Sequence, residues 1–139
     1  MARATFLLKT EPSVYSYDRL EKEKRACWDG VANPVAQKNI RSAKPGDRLV
    51  VYHTGDEKQA VGLAEVVSVP YVDPKNPKLW VFDLEARGKL NAPVSLAVLK
   101  AHPAFQDSPL VKIGRLSVVP LSPEQLLALL TLGKTKTKS

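Results

Sequence analysis

A chain of 139 residues that is 44% hydrophobic and 25% charged has the composition of one folded domain, which excludes wholesale disorder. Its net charge of +7 favours an anionic partner without requiring one, and its single cysteine and two separated histidines exclude an internal disulfide and argue against a metal site. No apolar run approaches the roughly 20 residues of a membrane span and no secretory signal is visible, so we expect a cytoplasmic protein.

The first part of the chain predicts a strand and two short helices. Residues 5–10 combine an apolar run with an alternation of apolar and polar residues, which predicts a strand. Pro12 ends this strand, because proline cannot donate a hydrogen bond to a neighbouring strand. Ser16 is placed to cap a polar helix that stops before Trp28. Asn33, followed by Pro34 at the first helical position, predicts a second helix to about residue 42. Its periodicity divides the side chains into an inward set (Val35, Ala36, Ile40) and an outward set (Gln37, Lys38, Arg41).

The remainder predicts strands over 49–53, 60–69, 79–90 and 115–119, with a polar loop over 71–78 and a last strand cut by Pro120. Ser95 is expected to cap a short helix, and Ser122 with Gln125 forms a capping-box pattern at the start of a leucine-rich final helix. Short strands with helices at the edges predict an α+β fold, a small mixed β-barrel of about five to six strands with short flanking helices. We expect one domain over 1–139, with a basic disordered tail at about 133–139.

Trp28 stands in the least ordinary loop of the chain, next to Asp29-Gly30. A core tryptophan is the commoner role, and the alternative is a stacking platform for a planar ligand. Asn33 is open to two interpretations in the same way, as a helix cap or as an amide that reads a base edge. Cys27 lacks a sequence-local partner and is expected to be a buried or semi-buried small hydrophobe.

Lys9, Thr10 and Glu11 lie where the first strand ends. Lys9 and Glu11 share one face of a strand, which predicts a surface ion pair; the alternative is that Lys9 or Thr10 lies at the mouth of a pocket. His53 ends the most apolar strand, where a structural role with both ring nitrogens satisfied is the more common outcome. Basic side chains at Lys38, Arg41, Lys44 and Arg115 are either a solvated face or phosphate contacts.

Several stretches together resemble those of EVE-domain proteins, in the same order along the chain. They are Phe6 to Pro12, Tyr15-Ser16-Tyr17, Trp28 to Val31 with Asn33, Lys44 to Asp47, Tyr52-His53, Val61 to Val66, Pro93 to Leu96, and Arg115 to Val118. Each stretch is weak alone, whereas the ordered set is specific and covers roughly Phe6 to Leu130. The resemblance implies a PUA-like barrel, similar to the YTH and ASCH domains.

The same resemblance implies a non-enzymatic domain without a cofactor, which binds DNA or RNA by recognising a modified base in an aromatic and polar pocket. Carried over residue by residue, that pocket consists of Lys9, Thr10, Glu11, Pro12, Trp28, Asn33, Tyr52, His53, Leu116 and Ser117. The phosphate-contact candidates are Lys38, Arg41, Lys44 and Arg115. The chain departs from the family pattern at Phe6, at Val35-Ala36-Gln37 and at Ile113, and an arginine lost at Gln37 is expected to weaken phosphate contact.

Two other functions compete with base recognition. Some ASCH-type relatives hydrolyse acylated nucleosides with lysine, threonine and glutamate, and Lys9, Thr10 and Glu11 have those side chains. They can converge only if the first strand ends or bulges at Thr10, because neighbouring strand residues point to opposite faces. The third possibility is a protein-interaction module that uses the leucine-rich final helix, although sealing the barrel is the more ordinary role for such a helix.

Overall fold

The computed structural model describes residues 3–135, in which strands and short helices alternate along one α+β fold. The strands are β1 (Thr5–Thr10), β2 (Arg25–Trp28), β3 (Arg48–His53), β4 (Gln59–Val66), β5 (Tyr71–Asp73), β6 (Asn76–Ser95) and β7 (Val118–Leu121). The α-helices are α1 (Tyr17–Glu23), α2 (Pro34–Ser42), α3 (Leu96–Ala101), α4 (Pro109–Lys112) and α5 (Pro123–Leu132), with a 3-10 turn at Pro103–Phe105. No helix among the described residues is long and apolar enough to cross a membrane.

One sheet carries the strands in the order β2-β6-β4-β3-β1-β7, and β5 pairs with the outer part of β6. Only β1 and β3 run parallel among these pairs, and the other neighbours are antiparallel. Bulges in the β4–β6 pairing bend the sheet. This combination of strands and helices confirms the predicted α+β class. Within residues 3–135 the end strands β2 and β7 are not hydrogen-bonded to each other, so the closed barrel remains a prediction.

Two strands were not expected from the sequence. β2 and β5 are only 4 and 3 residues long, and each is held by pairing with distant residues of β6 rather than by its own alternation. The prediction that Pro120 ends the last strand is wrong, because β7 contains Pro120 opposite Phe6. Among residues 3–135 β7 pairs with β1 alone, and an edge strand tolerates a residue that lacks a donor.

The predicted helix starts are confirmed by their capping bonds. Ser16, Asn33, Ser95 and Ser122 each accept a backbone N–H from the first turn of α1, α2, α3 and α5, respectively. Ser122 and Gln125 form the complete capping box. These caps satisfy donors that would otherwise be orphaned at each helix start. The short 3-10 turn and α4 lie where the sequence predicted a loop.

The predicted faces of α2 are wrong at two positions. Val35 is exposed, whereas the Gln37 side chain is buried and bonds to the backbone. Gln37 donates to the carbonyls of Val31 and Trp80 at 2.7 and 3.1 Å and accepts the Trp80 N–H at 2.7 Å. This glutamine therefore fastens α2 to β6, and its polarity is consistent with burial because every polar atom has a partner.

The core joins both faces of the sheet to the helices that cover them. Leu7 and Leu8 of β1, Val50 of β3 and Phe82 of β6 are fully enclosed. Leu126, Leu129 and Leu130 turn the final helix into this core, so α5 seals the fold, as the sequence favoured. Of the tail predicted to be disordered over 133–139, residues 136–139 lie outside the described residues, while Lys134 and Thr135 are hydrogen-bonded to Asn91 of β6.

Candidate functional site

A cleft of about 550 Å³ opens between α1 and β2. It is lined by the end of β1, the loop that follows, one side of α1, and β2 with the turn after it. The lining residues are Thr10, Val14, Tyr15, Arg19, Glu23, Ala26, Cys27, Trp28, Asp29 and Gly30. Its volume lies within the roughly 300–1,000 Å³ that is usual for small-molecule sites.

Two aromatic rings form a corner in this cleft. The centroids of Tyr15 and Trp28 are 6.1 Å apart and their planes meet at 83°. Trp28 is only 7% exposed and also belongs to the hydrophobic core, so it is at once a core residue and part of the cleft wall. Because the rings are perpendicular, a flat ligand parallel to one of them meets the other at its edge.

A small polar network lies beside the aromatic corner. The Tyr15 hydroxyl donates to Glu23 at 2.6 Å, and Arg19 donates to the other oxygen of the same carboxylate at 3.3 Å. The Arg19 guanidinium also lies over the Tyr15 ring, 5.1 Å from its centroid. Burial and the bond to Glu23 raise the pKa of Tyr15, while the Tyr15 hydroxyl, followed by Arg19, lowers the pKa of Glu23.

The fold holds α1 against the sheet and thereby fixes one wall of the cleft. His53 Nε2 accepts the backbone N–H of Tyr17, so the ring proton is on Nδ1, which donates to Glu57 at 2.9 Å. The Tyr17 hydroxyl donates to the Leu63 carbonyl at 2.6 Å and accepts from the Gly88 N–H at 2.9 Å. These bonds tie the start of α1 to β3, β4 and β6.

The opposite wall of the cleft contains the free thiol of Cys27. The prediction of a buried or semi-buried cysteine is wrong, because Cys27 is exposed on β2. Its Sγ is 3.4 Å from the Tyr71 hydroxyl, which bonds to Asp83 at 2.6 Å. Desolvation of the sulfur raises the pKa of the Cys27 thiol, so it is protonated near neutral pH.

The cleft is not a cationic surface. Of its charged side chains, Arg19 and Glu23 neutralise each other and Asp29 adds a negative charge. Such a lining suits a neutral, flat heterocycle with polar edges better than a phosphate group. No group of three or more histidine, cysteine or acidic residues within 3–135 is arranged to hold a metal ion.

The structure brings two of the predicted pocket residues, Thr10 and Trp28, into the cleft. The Thr10 hydroxyl donates to the Tyr15 carbonyl at 2.8 Å and so positions the loop that presents the Tyr15 ring. Asn33 caps α2 with its Oδ1, and His53 has partners at both ring nitrogens. Both therefore have the structural roles that the sequence left open beside the functional ones.

The other predicted pocket residues lie near the end of β1 but outside the cleft lining described for residues 3–135. Lys9 donates to the Gly114 carbonyl at 3.0 Å, and Glu11 accepts from Ser13. The surface ion pair between Lys9 and Glu11 is thus absent among the described ion pairs. Of the others, Pro12 and Ser117 are partly exposed, and Tyr52 and Leu116 are in the core.

The predicted phosphate contacts are all exposed. Lys38 and Arg41 lie on the outer side of α2, Lys44 follows that helix, and Arg115 precedes β7, against which α2 packs. Within residues 3–135 none of the four forms an ion pair, so their charges are available to a partner.

Most of the cleft was missed by reasoning from the sequence. Tyr15, Arg19 and Glu23 were not singled out as site residues, although their spacing of four places them on one side of α1 and its leading turn. That spacing was the available signal. The contribution of β2 had no such signal, because its residues reach the cleft only through pairing with β6.

A family model described as EVE domain matches residues 4–132. Thymocyte nuclear protein 1 of mouse is 29% identical over 94% of the chain, which spans 74% of the mouse protein. Its zebrafish counterpart is 28% identical over 76% of the chain. The chain spans only 57% of the zebrafish protein's length.

Three solved structures are similar to the chain over nearly its whole length. A protein of Agrobacterium tumefaciens is 31% identical with a TM-score of 0.92, covering 97% of this chain and 96% of its own. The human THYN1 protein, solved in complex with 5-methylcytosine containing DNA, is 25% identical with a TM-score of 0.85, covering 96% and 99%. An ASCH protein of Zymomonas mobilis, at 15% identity and a TM-score of 0.59, shares the fold alone; it covers 94% of this chain and 96% of its own.

Proposed function

The chain belongs to the EVE domain family, and on that premise we propose that it binds nucleic acid by taking a modified base into the cleft between α1 and β2. The domain acts as a binding module and catalyses no reaction. The complex of human THYN1 with 5-methylcytosine containing DNA makes a methylated pyrimidine the first base to test.

The perpendicular rings of Tyr15 and Trp28 carry this proposal. A base that stacks on the face of one ring meets the other at its edge, and stacking of this kind is worth about 1–3 kcal/mol per base. Beside the corner, Glu23 offers carboxylate oxygens to amino donors of a base, and Arg19 offers donors to its carbonyl oxygens. Aromatic faces with polar groups at their border are the usual means of recognising an unstacked base.

The near-neutral cleft separates base recognition from phosphate binding. The cleft discriminates between bases, and basic side chains outside it, with Lys38, Arg41, Lys44 and Arg115 as candidates, supply attraction to the backbone. Affinity is therefore expected to fall as salt rises, because neutralised phosphates release counterions. The preference for the modified base is expected to persist in relative terms, since phosphate contacts carry no sequence information.

The arrangement of Lys9, Thr10 and Glu11 argues against hydrolysis of an acylated nucleoside. β1 does end at Thr10, which was the condition for convergence. The three side chains nevertheless bond to different groups, namely the Gly114 carbonyl, the Tyr15 carbonyl and Ser13. A catalytic set requires its members to face one reacting atom.

Tryptophan fluorescence gives a direct test, because the chain has two tryptophans and Trp28 alone lines the cleft. A Trp80→Phe variant keeps Trp28 as the sole emitter, and a Trp28→Phe variant keeps Trp80. We expect 5-methyldeoxycytidine, and short single-stranded DNA that contains it, to quench Trp28 in a saturable manner. The variant that emits only from Trp80 is expected to show no saturable quenching.

Affinity measurements on a Tyr15→Ala variant complete the test. Tyr15 is half-buried, so this change is less disruptive than removing the core residue Trp28, whose truncation costs about 3–5 kcal/mol of stability. We expect Tyr15→Ala to weaken binding roughly tenfold and to weaken it unequally for the modified and unmodified strand. Equal losses for both strands would count against recognition of the modification, and unchanged affinity would count against the cleft itself.

A further inference from the structure

A second cavity, of about 270 Å³, is lined by parts of β3, β4, β6 and α5, and its Lys89 contacts α1 on the side away from the aromatic cleft. Four basic side chains surround it: Arg3, Arg48 at the start of β3, and Arg87 and Lys89 of β6. Its floor is apolar and includes Leu63 and Leu126. We call it the basic pocket.

The four cations of the basic pocket are not equally compensated. Arg87 is held by Glu65 and Glu85 at 3.4 and 3.1 Å. Lys89 is held by Asp18 of α1 at 2.6 Å and has Glu21 at 3.7 Å. Within residues 3–135, Arg3 and Arg48 form no ion pair, although Glu65 is the cross-strand neighbour of Arg48.

The uncompensated pair gives the basic pocket an attraction for anions. A concave wall of low dielectric focuses the field of Arg3 and Arg48, and guanidinium groups bind phosphate oxygens through charged hydrogen bonds. The volume is below the roughly 300–1,000 Å³ of a site for a whole small molecule. It therefore suits one group of a longer molecule, namely a phosphate with the apolar carbons of its sugar against the floor.

The position of the basic pocket links it to the aromatic cleft. Arg19 and Glu23 line the cleft from one side of α1, while Asp18 and Glu21 face Lys89 on the other. The uncompensated Arg48 pairs with Thr5, and Thr10 of the cleft lies five residues further along β1. At about 3.3 Å per strand residue the two sites are about 17 Å apart, a span that five nucleotides cover at a rise of about 3.4 Å each. A strand with one base in the cleft can thus place a phosphate about five nucleotides away in the basic pocket.

We propose that the basic pocket binds a backbone phosphate of the same nucleic-acid strand whose modified base occupies the cleft. This inference rests on the proposed function. It differs from the predicted phosphate contacts on α2 and before β7, because Lys38, Arg41, Lys44 and Arg115 do not line this pocket.

Amide NMR on the full chain separates the two sites, since Gly88 lines the basic pocket and Gly30 lines the cleft. The probes are 5-methyldeoxycytidine, inorganic phosphate, and a single-stranded DNA of about twelve nucleotides with one central 5-methylcytosine. We expect the nucleoside to shift Gly30 only and the DNA to shift both glycines. Inorganic phosphate is expected to shift Gly88 only weakly, because it lacks the base that anchors the strand.

Charge removal provides the second arm of the experiment. Arg3→Gln and the double variant Arg3→Gln/Arg48→Gln are compared with Lys78→Gln, which removes one charge from an exposed position outside both cavities. We expect the double variant to lose about tenfold in DNA affinity, equally for modified and unmodified strands. The slope of log affinity against log salt concentration is expected to be shallower by about the amount that one phosphate contact contributes. The single variant is expected to lose less and Lys78→Gln the least.

Three outcomes overturn the proposal: an unmoved Gly88 signal with DNA, affinities that match the Lys78→Gln control, or inorganic phosphate binding at Gly88 as tightly as the DNA does. The last outcome assigns the pocket to a free anion rather than to a strand. Failure of the proposed function is distinguishable, because it appears as an unmoved Gly30 with both the nucleoside and the DNA. The single Arg3 variant keeps the test decisive if loss of the half-buried Arg48 disturbs folding.

Discussion

The Tyr15 hydroxyl donates a 2.6 Å hydrogen bond to the Glu23 carboxylate across the length of α1. Tyr15 precedes the helix and Glu23 is its last residue, so the bond holds the aromatic loop against the far end of the helix. Arg19, one turn from each, bonds to the same carboxylate and covers the Tyr15 ring. The orientation of the ring in the cleft thus depends on a carboxylate eight residues away.

A Tyr15→Phe variant tests this dependence, because it keeps the ring and removes the donor. Glu23 has a lowered pKa chiefly through the Tyr15 hydroxyl, so we expect the variant to raise it toward the ordinary value of 4.5. In the native protein the bond between Tyr15 and the Glu23 carboxylate is fully present above pH 4.5, and its contribution to stability is lost as the pH falls through the lowered pKa of Glu23. Carboxyl titration by NMR measures the change.

Asp18 is the control for this titration. Its pKa is lowered by the hydrogen bond from Lys89, which does not involve Tyr15. Asp18 is therefore expected to titrate identically in the native chain and in Tyr15→Phe. An unchanged Glu23 pKa would show that Arg19 alone sets the charge of this carboxylate.

The close contact between Gly62 and Tyr17 supports a prediction about stability. The Tyr17 ring lies where a side chain at position 62 would be placed, and the ring is fully enclosed. We expect Gly62→Ala to cost about 1–3 kcal/mol, because the ring cannot move without breaking its bonds to Leu63 and Gly88. Gly114→Ala is the matched control, since nothing lies within 4 Å of an added Cβ there. Thermal unfolding measures both, and equal Tm values would contradict the prediction.

Local signals explain why much of the fold was predictable from the sequence. Ser16, Asn33, Ser95 and Ser122 cap helices through atoms a few residues away, so residue type and spacing are sufficient. β2 was not predictable in this way. Its four residues form a strand because they pair with Phe82 to Glu85, and such long-range pairing leaves no pattern in so short a segment.

The candidate site was less predictable than the fold for a related reason. The stretch around Trp28 was correctly singled out, because a large ring beside a turn is locally unusual. Whether an exposed polar residue faces a cleft depends on helix docking, however, and that docking rests on Tyr17, His53 and Gly88, which are distant in sequence. Gln37 shows the same limit, because it is buried by partners on β6 that helical periodicity does not include.

Gln37 yields a second prediction about stability. In Gln37→Ala the partly buried Trp80 N–H loses its acceptor and two carbonyls lose a donor, which we expect to cost about 1–3 kcal/mol. Lys38→Ala, one residue further along α2 and exposed, is expected to stay within about 0.5 kcal/mol. Denaturant unfolding compares the two variants. If both are equally stable, the Gln37 bonds make no net contribution to stability.

The thiol of Cys27 reports on occupancy of the cleft, because it is the only cysteine in the sequence and lines the cleft wall. Desolvation raises its pKa above the ordinary 9.0, so at any pH below that value the folded chain contains less thiolate than a free thiol does. We expect alkylation by iodoacetamide at pH 8 to be slower than in the urea-unfolded chain, and its rate to level off at a higher pH. Saturating single-stranded DNA with 5-methylcytosine is expected to slow it further. Alkylation at the same rate with and without bound DNA would place the base elsewhere on the protein.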